Sequence, residues 1–453
     1  MKENKIKGAF IILLKYLLLL VILVSSYILL MMLVSIMPSK LLADNVKQSS
    51  EVLVEEGEKK FIDLGYKKEY LFTFTDALMI NTAYSMTPTD PLASAMLGRK
   101  NYVPGQTLQV HIDNQYNLGA CDEYINHKNG DLYQTKELYA LMHGKDITDS
   151  FEYARYWHGY SVILRPLLAI TNYSGIRIIL SALTIILTLL FLYKLYKKID
   201  IWAAIIFLIG LLSVSIFVIT QSVNEILVFL IAIIFSLILL YKKDLSKHVV
   251  EIFFIAGSIT NFIDLLTAPI VTLGLPLIIY ILLLQKENKK LKEVLRKGLK
   301  ACLAWGMAYG ITWILKWVLT QLLYDRPIMT QALEQARYRI GLQNEDLKFI
   351  DVLKKNIKYL SNNTMYALGS LAIIYTAGNL ILKDKSEINF YENIKDIIPY
   401  VITALSPIIW FVVLKEHSYV HSFFTYRILI ITIISIFIII RNLFEIKDEK
   451  CQN

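Results

Sequence analysis

Long apolar runs decide what this chain can become. A helix needs about 20 apolar residues to cross the ~30 Å hydrocarbon core of a bilayer. Inside lipid, only a helix or a closed barrel satisfies its own backbone hydrogen bonds. Runs of that kind recur along the sequence at Gly8–Met37, Ile176–Tyr193, Ile201–Ile219, Val223–Tyr241 and Val249–Leu266. They continue at Pro269–Leu284, Ala301–Leu322, Met365–Leu382, Ile397–Leu414 and Ile428–Ile440. The reading is an all-α polytopic membrane protein of about ten transmembrane helices, one integral membrane domain over 1–453. The 55% hydrophobic composition and mean hydropathy of +0.49 agree with it. The amino end is basic and then apolar, as a signal peptide is, but its apolar stretch is long and no small-residue cleavage site follows, so a retained helix is expected.

The net charge of +9 is not spread evenly. Lys2, Lys5 and Lys7, Lys194, Lys197 and Lys198, Lys242, Lys243 and Lys247, the run Lys286 to Lys300, and Lys383, Lys385 and Arg441 all fall on alternate loops. The positive-inside rule then puts both termini in the cytoplasm of a cell-membrane protein. It also accounts for the charge without nucleic acid. Lys15, inside the first run, is expected to snorkel to the inner interface. Three larger segments fall outside: 38–174, 323–364 and 415–427. The cytoplasmic loops carry no nucleotide-binding fingerprint, so chemistry is expected on the outer face. Cys121, Cys302 and Cys451 have no paired spacing and suggest neither a disulfide framework nor a zinc site.

Candidate site residues gather in those outer segments. Asp76 follows Phe72-Thr-Phe-Thr and precedes an apolar run. It reads equally as a helix cap and as a carboxylate base for a hydroxyl. Asp122 and Glu123 compete for the second role. Over Glu152–Leu168 a helical projection puts Tyr153, Trp157, Tyr160, Leu164 and Leu167 on one face, and Glu152, Arg155, His158 and Arg165 opposite. That predicts an interfacial amphipathic helix, ended or kinked at Pro166, with Arg155 and His158 one turn apart and able to bind phosphate. The bland alternative is an anchor touching only headgroups. In Lys415-Glu-His417-Ser-Tyr-Val-His421-Ser-Phe-Phe-Thr-Tyr-Arg427 the two histidines share a helical face. The Glu of a His-Glu-x-x-His zinc motif is missing, so phosphate or sugar contact is favoured over metal. Asn261, Asp264 and Lys316 are polar groups in or near spans, where charge is expensive and suggests function; capping and snorkelling are their structural alternatives. Arg326, Arg337 and Arg339 read as solvated or headgroup-bound.

An acid in a large first external loop, an interfacial helix and a polytopic bundle together resemble the GT-C class of membrane glycosyltransferases, which includes protein O-mannosyltransferases and aminoarabinose transferases. The Lys415–Arg427 run and Asn261-Phe-Ile-Asp264-Leu-Leu-Thr-Ala-Pro269 resemble motifs of bacterial members. The resemblance implies a polyprenyl-phosphate-linked sugar as donor and a cell-envelope glycan, lipid or protein as acceptor. It implies Asp76 as base, Arg155, His158, His421 and Arg427 on the donor phosphate, and His417, Asn261, Asp264 and Lys316 lining the cavity. In the class the acid stands close behind the first span, whereas Asp76 lies well downstream of it, which keeps Asp122 and Glu123 in play. No metal or other cofactor is assigned. A transporter or lipid-linked glycan flippase, and a polysaccharide polymerase or ligase, are the competing expectations.

Overall fold

The computed structural model describes residues 2–57, 59–63, 68–102, 133–144, 149–242, 245–342, 344, 346–361, 363–382 and 390–444. Asp122 and Glu123 lie outside the described residues. The chain opens with α1 (Lys2–Ile36) and α2 (Ala43–Glu56), then the hairpin β1 (Lys59–Asp63) and β2 (Lys68–Phe72), α3 (Phe74–Tyr84) and α4 (Pro91–Leu97). Next come β3 (Arg99–Tyr102), α5 (Tyr133–Met142), β4 (Asp149–Glu152) and α6 (Ser161–Ile170). The bundle follows: α7 (Tyr173–Lys198), α8 (Ile201–Ser213), α9 (Ile216–Ile219), α10 (Val223–Tyr241), α11 (Leu245–Ile263), α12 (Val271–Lys286) and α13 (Leu291–Tyr324). After α14 (Ile328–Ile340), α15 (Phe349–Leu360) and α16 (Asn363–Leu382) come α17 (Phe390–Ala404) and α18 (Ser406–Val413). Short turns α19 (Lys415–Val420) and α20 (Ser422–Thr425) lead through Tyr426–Leu429 into α21 (Ile430–Leu443).

Six of these helical segments are long and apolar enough to cross a membrane: Phe10–Ile36, Tyr173–Lys198, Val223–Tyr241, Leu291–Tyr324, Asn393–Val413 and Ser422–Leu443. Shorter apolar helices stand among them at Ser161–Ile170, Ile201–Ser213, Val271–Lys286 and Gly369–Gly378. This is the architecture of a multi-pass membrane protein. The most apolar window of α10 is 89% buried while that of α1 is 22% buried, which makes α10 central and α1 peripheral. Outward-facing Ile178, Ile186 and Leu189 on α7 are the pattern expected of a lipid-facing surface. The third apolar run is not one helix. It breaks at Ser215, which holds φ +58° between α8 and α9.

Close helix approach depends on glycine. Gly257 of α11 lies against the Trp305 carbonyl of α13, where a Cβ would overlap backbone atoms that cannot move aside. Gly257→Ala should therefore force the two helices apart, at about 1–3 kcal/mol, and lower the thermal midpoint of the purified protein; an unchanged midpoint would disprove the tight contact. Near the lysine-rich end, Lys286 Nζ donates to the Lys198 carbonyl and Arg441 pairs with Asp200 at 2.9 Å. Lys15 does not simply snorkel, because it pairs with Glu251 of α11.

The expected amphipathic helix at Glu152–Leu168 is corrected. Helix begins only at Ser161 and runs four residues past Pro166. Before it, β4 pairs with β3, setting Glu152 opposite Arg99. The Gly159 N–H then donates to the Phe262 carbonyl at 2.8 Å, and His158 adopts φ +56°. Those bonds to neighbouring elements replace the helical ones. Trp157 and Tyr160 are wholly buried against protein rather than set at headgroup depth. Arg165 is also wholly buried. Its guanidinium donates to the carbonyls of Val34, Met37, Ala83 and Met86, tying α6 to the end of α1.

Candidate functional site

Segments between the long helices carry many of the buried polar groups. Asp76 sits in the first turn of α3, yet it does not cap its own helix. Its carboxylate caps α10 from outside, accepting the N–H groups of Val223 and Asn224, each at 2.9 Å, and the Ser222 hydroxyl at 3.3 Å. The Tyr173 hydroxyl donates a fourth bond at 2.5 Å, and Arg177 supports that tyrosine while pairing with Glu56. A negative group at a helix N-terminus is favoured by the orphan N–H groups and the dipole there. Burial pushes the Asp76 carboxyl up, with these bonds and Arg177 pulling it back down. Four donors occupy the oxygens that a base would need.

Asp264 is placed differently. It lies just past the last residue of α11, in a turn where both of its oxygens face the Thr267 N–H at 3.0 and 3.1 Å. The residue is 5% exposed, so the turn closes its carboxylate off from water. Leu266 in the same turn holds φ +70°, a costly conformation for a γ-branched residue, held by the surroundings. The Leu266 carbonyl accepts from His417 Nε2 at 2.9 Å. His417 Nδ1 therefore accepts, and its donor is an Arg339 N–H at 2.6 Å. The Tyr309 hydroxyl joins these groups: Asn261 is its hydrogen-bonding neighbour, and Asp264, Tyr156 and Arg339 lie within electrostatic range. His421 packs beside His417 with ring centroids 4.7 Å apart.

The structure thus brings Asn261, Asp264, His417 and His421 to one place, with Tyr309 and Arg339. Asp76 connects to it through Asn224, whose side-chain oxygen accepts from Thr267 at 3.0 Å. Unfilled hydrogen-bonding capacity is present here. Asn261 Oδ1 and Gln335 Oε1 are buried without a partner, each residue 5% exposed, and His421 Nδ1 is likewise unpartnered. Gln335 stands one turn before Arg339 on α14. Buried polar groups left without partners are rare enough to need an explanation.

Other expected site residues are committed elsewhere. His158 Nε2 donates to the Tyr153 carbonyl at 2.6 Å and its Nδ1 accepts from Tyr160 at 2.8 Å, leaving no nitrogen for phosphate. Lys316 does not line the cluster. Its Nζ donates to the Ala95 and Met96 carbonyls at the end of α4, over the Trp157 ring. Arg427 is buried in an ion pair with Glu225 rather than open to a ligand. Arg155 offers more. Its carbonyl accepts the indole N–H groups of Trp313 and Trp317, its guanidinium lies over the Tyr153 ring, and its Nε is unpartnered. Among the described residues no three His, Cys, Asp or Glu side chains are grouped to hold a metal.

The three histidines give the molecule a pH signature. Burial lowers His158 and His421 to about 3 each and His417 well below its ordinary value. The unfolded chain takes up those protons near 6.5, so stability is fully present above that pH and falls as pH drops below it. Thermal midpoints in detergent should decline from about pH 6.5 downward, and less steeply in His158→Asn; a flat profile would contradict neutral burial.

Arg339, expected to be solvated or bound to headgroups, instead donates to His417, and Tyr309, Glu225 and Gln335 were not singled out by the sequence. No known family, curated protein or solved structure matches the chain.

Proposed function

We propose that the protein is a membrane glycosyltransferase of GT-C type, with ten spans and both termini cytoplasmic, acting at the outer surface of the cell membrane. It would move a sugar from a polyprenyl-phosphate donor to a cell-envelope acceptor. The observation that carries this reading is the meeting of a buried carboxylate, Asp264, with a cation, Arg339, and the unfilled acceptors of Asn261 and Gln335. The donors to Asp264 come from its own turn, the Thr267 N–H among them, and an acceptor hydroxyl would displace one of them to reach the carboxylate. Asn261 Oδ1 and Gln335 Oε1 are acceptors suited to sugar hydroxyls. Arg339, with Arg155, suits the phosphate. Asp264 would take the acceptor's proton as its oxygen bonds to the anomeric carbon, and the lipid phosphate would leave with the electrons of the broken C–O bond. Asp76 is then a positioning residue that fixes α10 and, through Asn224, the Asp264 turn.

A transport reading has one observation of its own. The break at Ser215, beside buried Glu69, which accepts from Ser215 and Tyr426, resembles the interrupted helices of transporters. A polymerase or ligase would share the donor site and differ only in acceptor. Proteoliposomes loaded with a radiolabelled polyprenyl-phosphate sugar and an envelope extract separate these readings. Label leaving the lipid for a glycan, second lipid or protein supports transfer. Donor crossing the bilayer with its sugar still attached supports transport and defeats the enzyme reading.

A further inference from the structure

The sequence places an interfacial helix over Glu152–Leu168, where helix begins only at Ser161. A better candidate lies within 323–364. On α15, Ile350 and Ile357 are 47% and 46% exposed, and with Lys354 and Lys358 they occupy one side of the helix at spacings of three, four and seven. The opposite side, with Val352, Asn356 and Leu360, is buried against α18 to α20 and the Tyr426–Leu429 turn. From 348 to 361 there are four lysines and one aspartate. Water is a poor neighbour for the two isoleucines, whereas a leaflet suits both groups, because the long stems of the lysines follow the apolar side chains while their charges rise to the headgroups.

Position in the chain says what covers this face. Leu322, 77% exposed, ends the outward apolar stripe of α13, and the stripe continues over Leu333 of α14 and Leu342 beyond it to α15. On the other side α15 is followed within two residues by α16, whose Leu371, Ile373 and Ile374 face outward. α15 therefore runs at the height where apolar helices leave the bilayer.

We propose that α15 is a membrane-surface helix. Its isoleucines enter the acyl boundary of the leaflet, and Lys348, Lys354 and Lys358 bind anionic lipid headgroups. The inference rests on burial, charge and continuity, and stands independently of any transfer chemistry. It has a consequence for the polar cluster. Asn356 donates to the Ser418 carbonyl at 2.9 Å and accepts from Thr425 at 2.8 Å, and Lys355 lies over the Tyr419 ring at 3.9 Å. The helix on the leaflet thus holds the backbone that carries His417 and His421 at headgroup height.

The test is a spin label at Ile357→Cys, with the three native cysteines replaced by serine, in nanodiscs of phosphatidylglycerol or of phosphatidylcholine. The expected result is a collision ratio for oxygen over a water-soluble nickel chelate several-fold above that of a label at exposed Asp346→Cys. The excess should be larger in phosphatidylglycerol and should shrink in K354E/K358E. Equal ratios at the two positions in both lipids would overturn the proposal. So would a label at Ile357→Cys shielded from both reagents, which would mean a protein covers the face.

Discussion

Asp264→Asn should reduce sugar transfer by about 10²–10⁴-fold, the range a positioned general base contributes. It should do so in a protein that still extracts and folds, with a lower melting midpoint, because the amide keeps one oxygen for the turn's N–H groups and loses the other. The working form is the ionised carboxylate, so activity is lost as pH falls and the carboxylate takes up its proton. Asp76→Asn should fail differently. An amide oxygen cannot take four donors, and its own N–H groups would face the α10 N-terminus, so the melting midpoint drops while remaining folded protein still transfers with the wild-type pH profile. Equal activity in wild type and Asp264→Asn would remove Asp264 as base.

The largest stability effect should come from the buried pair of Arg427 and Glu225. Both residues are almost wholly buried, so removing either partner leaves an uncompensated charge away from water, at about 3–5 kcal/mol. Arg427→Met and Glu225→Leu should each destabilise the protein strongly. Together they should cost less than either alone, since an apolar pair of similar volume needs no counter-charge. Glu69 stays hydrogen-bonded to Ser215 and Tyr426 in the double variant. A cycle of melting midpoints in one detergent measures this. Additive losses would show that the two residues act independently.

Much of the helical scaffold can be read from the apolar runs, because lipid-facing and protein-facing helices both need length and apolarity. The break at Ser215 cannot, since Leu-Leu-Ser-Val-Ser-Ile carries no proline or glycine to announce it. In the polar cluster, Asn261, Asp264, His417 and His421 are visible as polar residues beside apolar stretches. Arg339 looks like one of several arginines in a charged loop, and Tyr309 like one aromatic among many in α13. Only the packing of α14 against α13 and α19 gives them their neighbours. The Glu152–Leu168 projection misled for a definable reason. Tyr153, Trp157 and Tyr160 repeat as an interfacial face would, but periodicity cannot distinguish lipid from the protein side chains that cover Trp157 and Tyr160.

The external cap that Asp76 places on α10 orders events in time. While a ribosome is still adding the residues beyond Tyr84, the carboxylate has no N–H groups of Val223 and Asn224 to meet. The early loop must wait, its acid hydrated, until a segment nearly a hundred and fifty residues later has been inserted. Maturation of the outer segment therefore comes after completion of the bundle's middle, and a nascent chain halted before α10 would carry a loop unable to close.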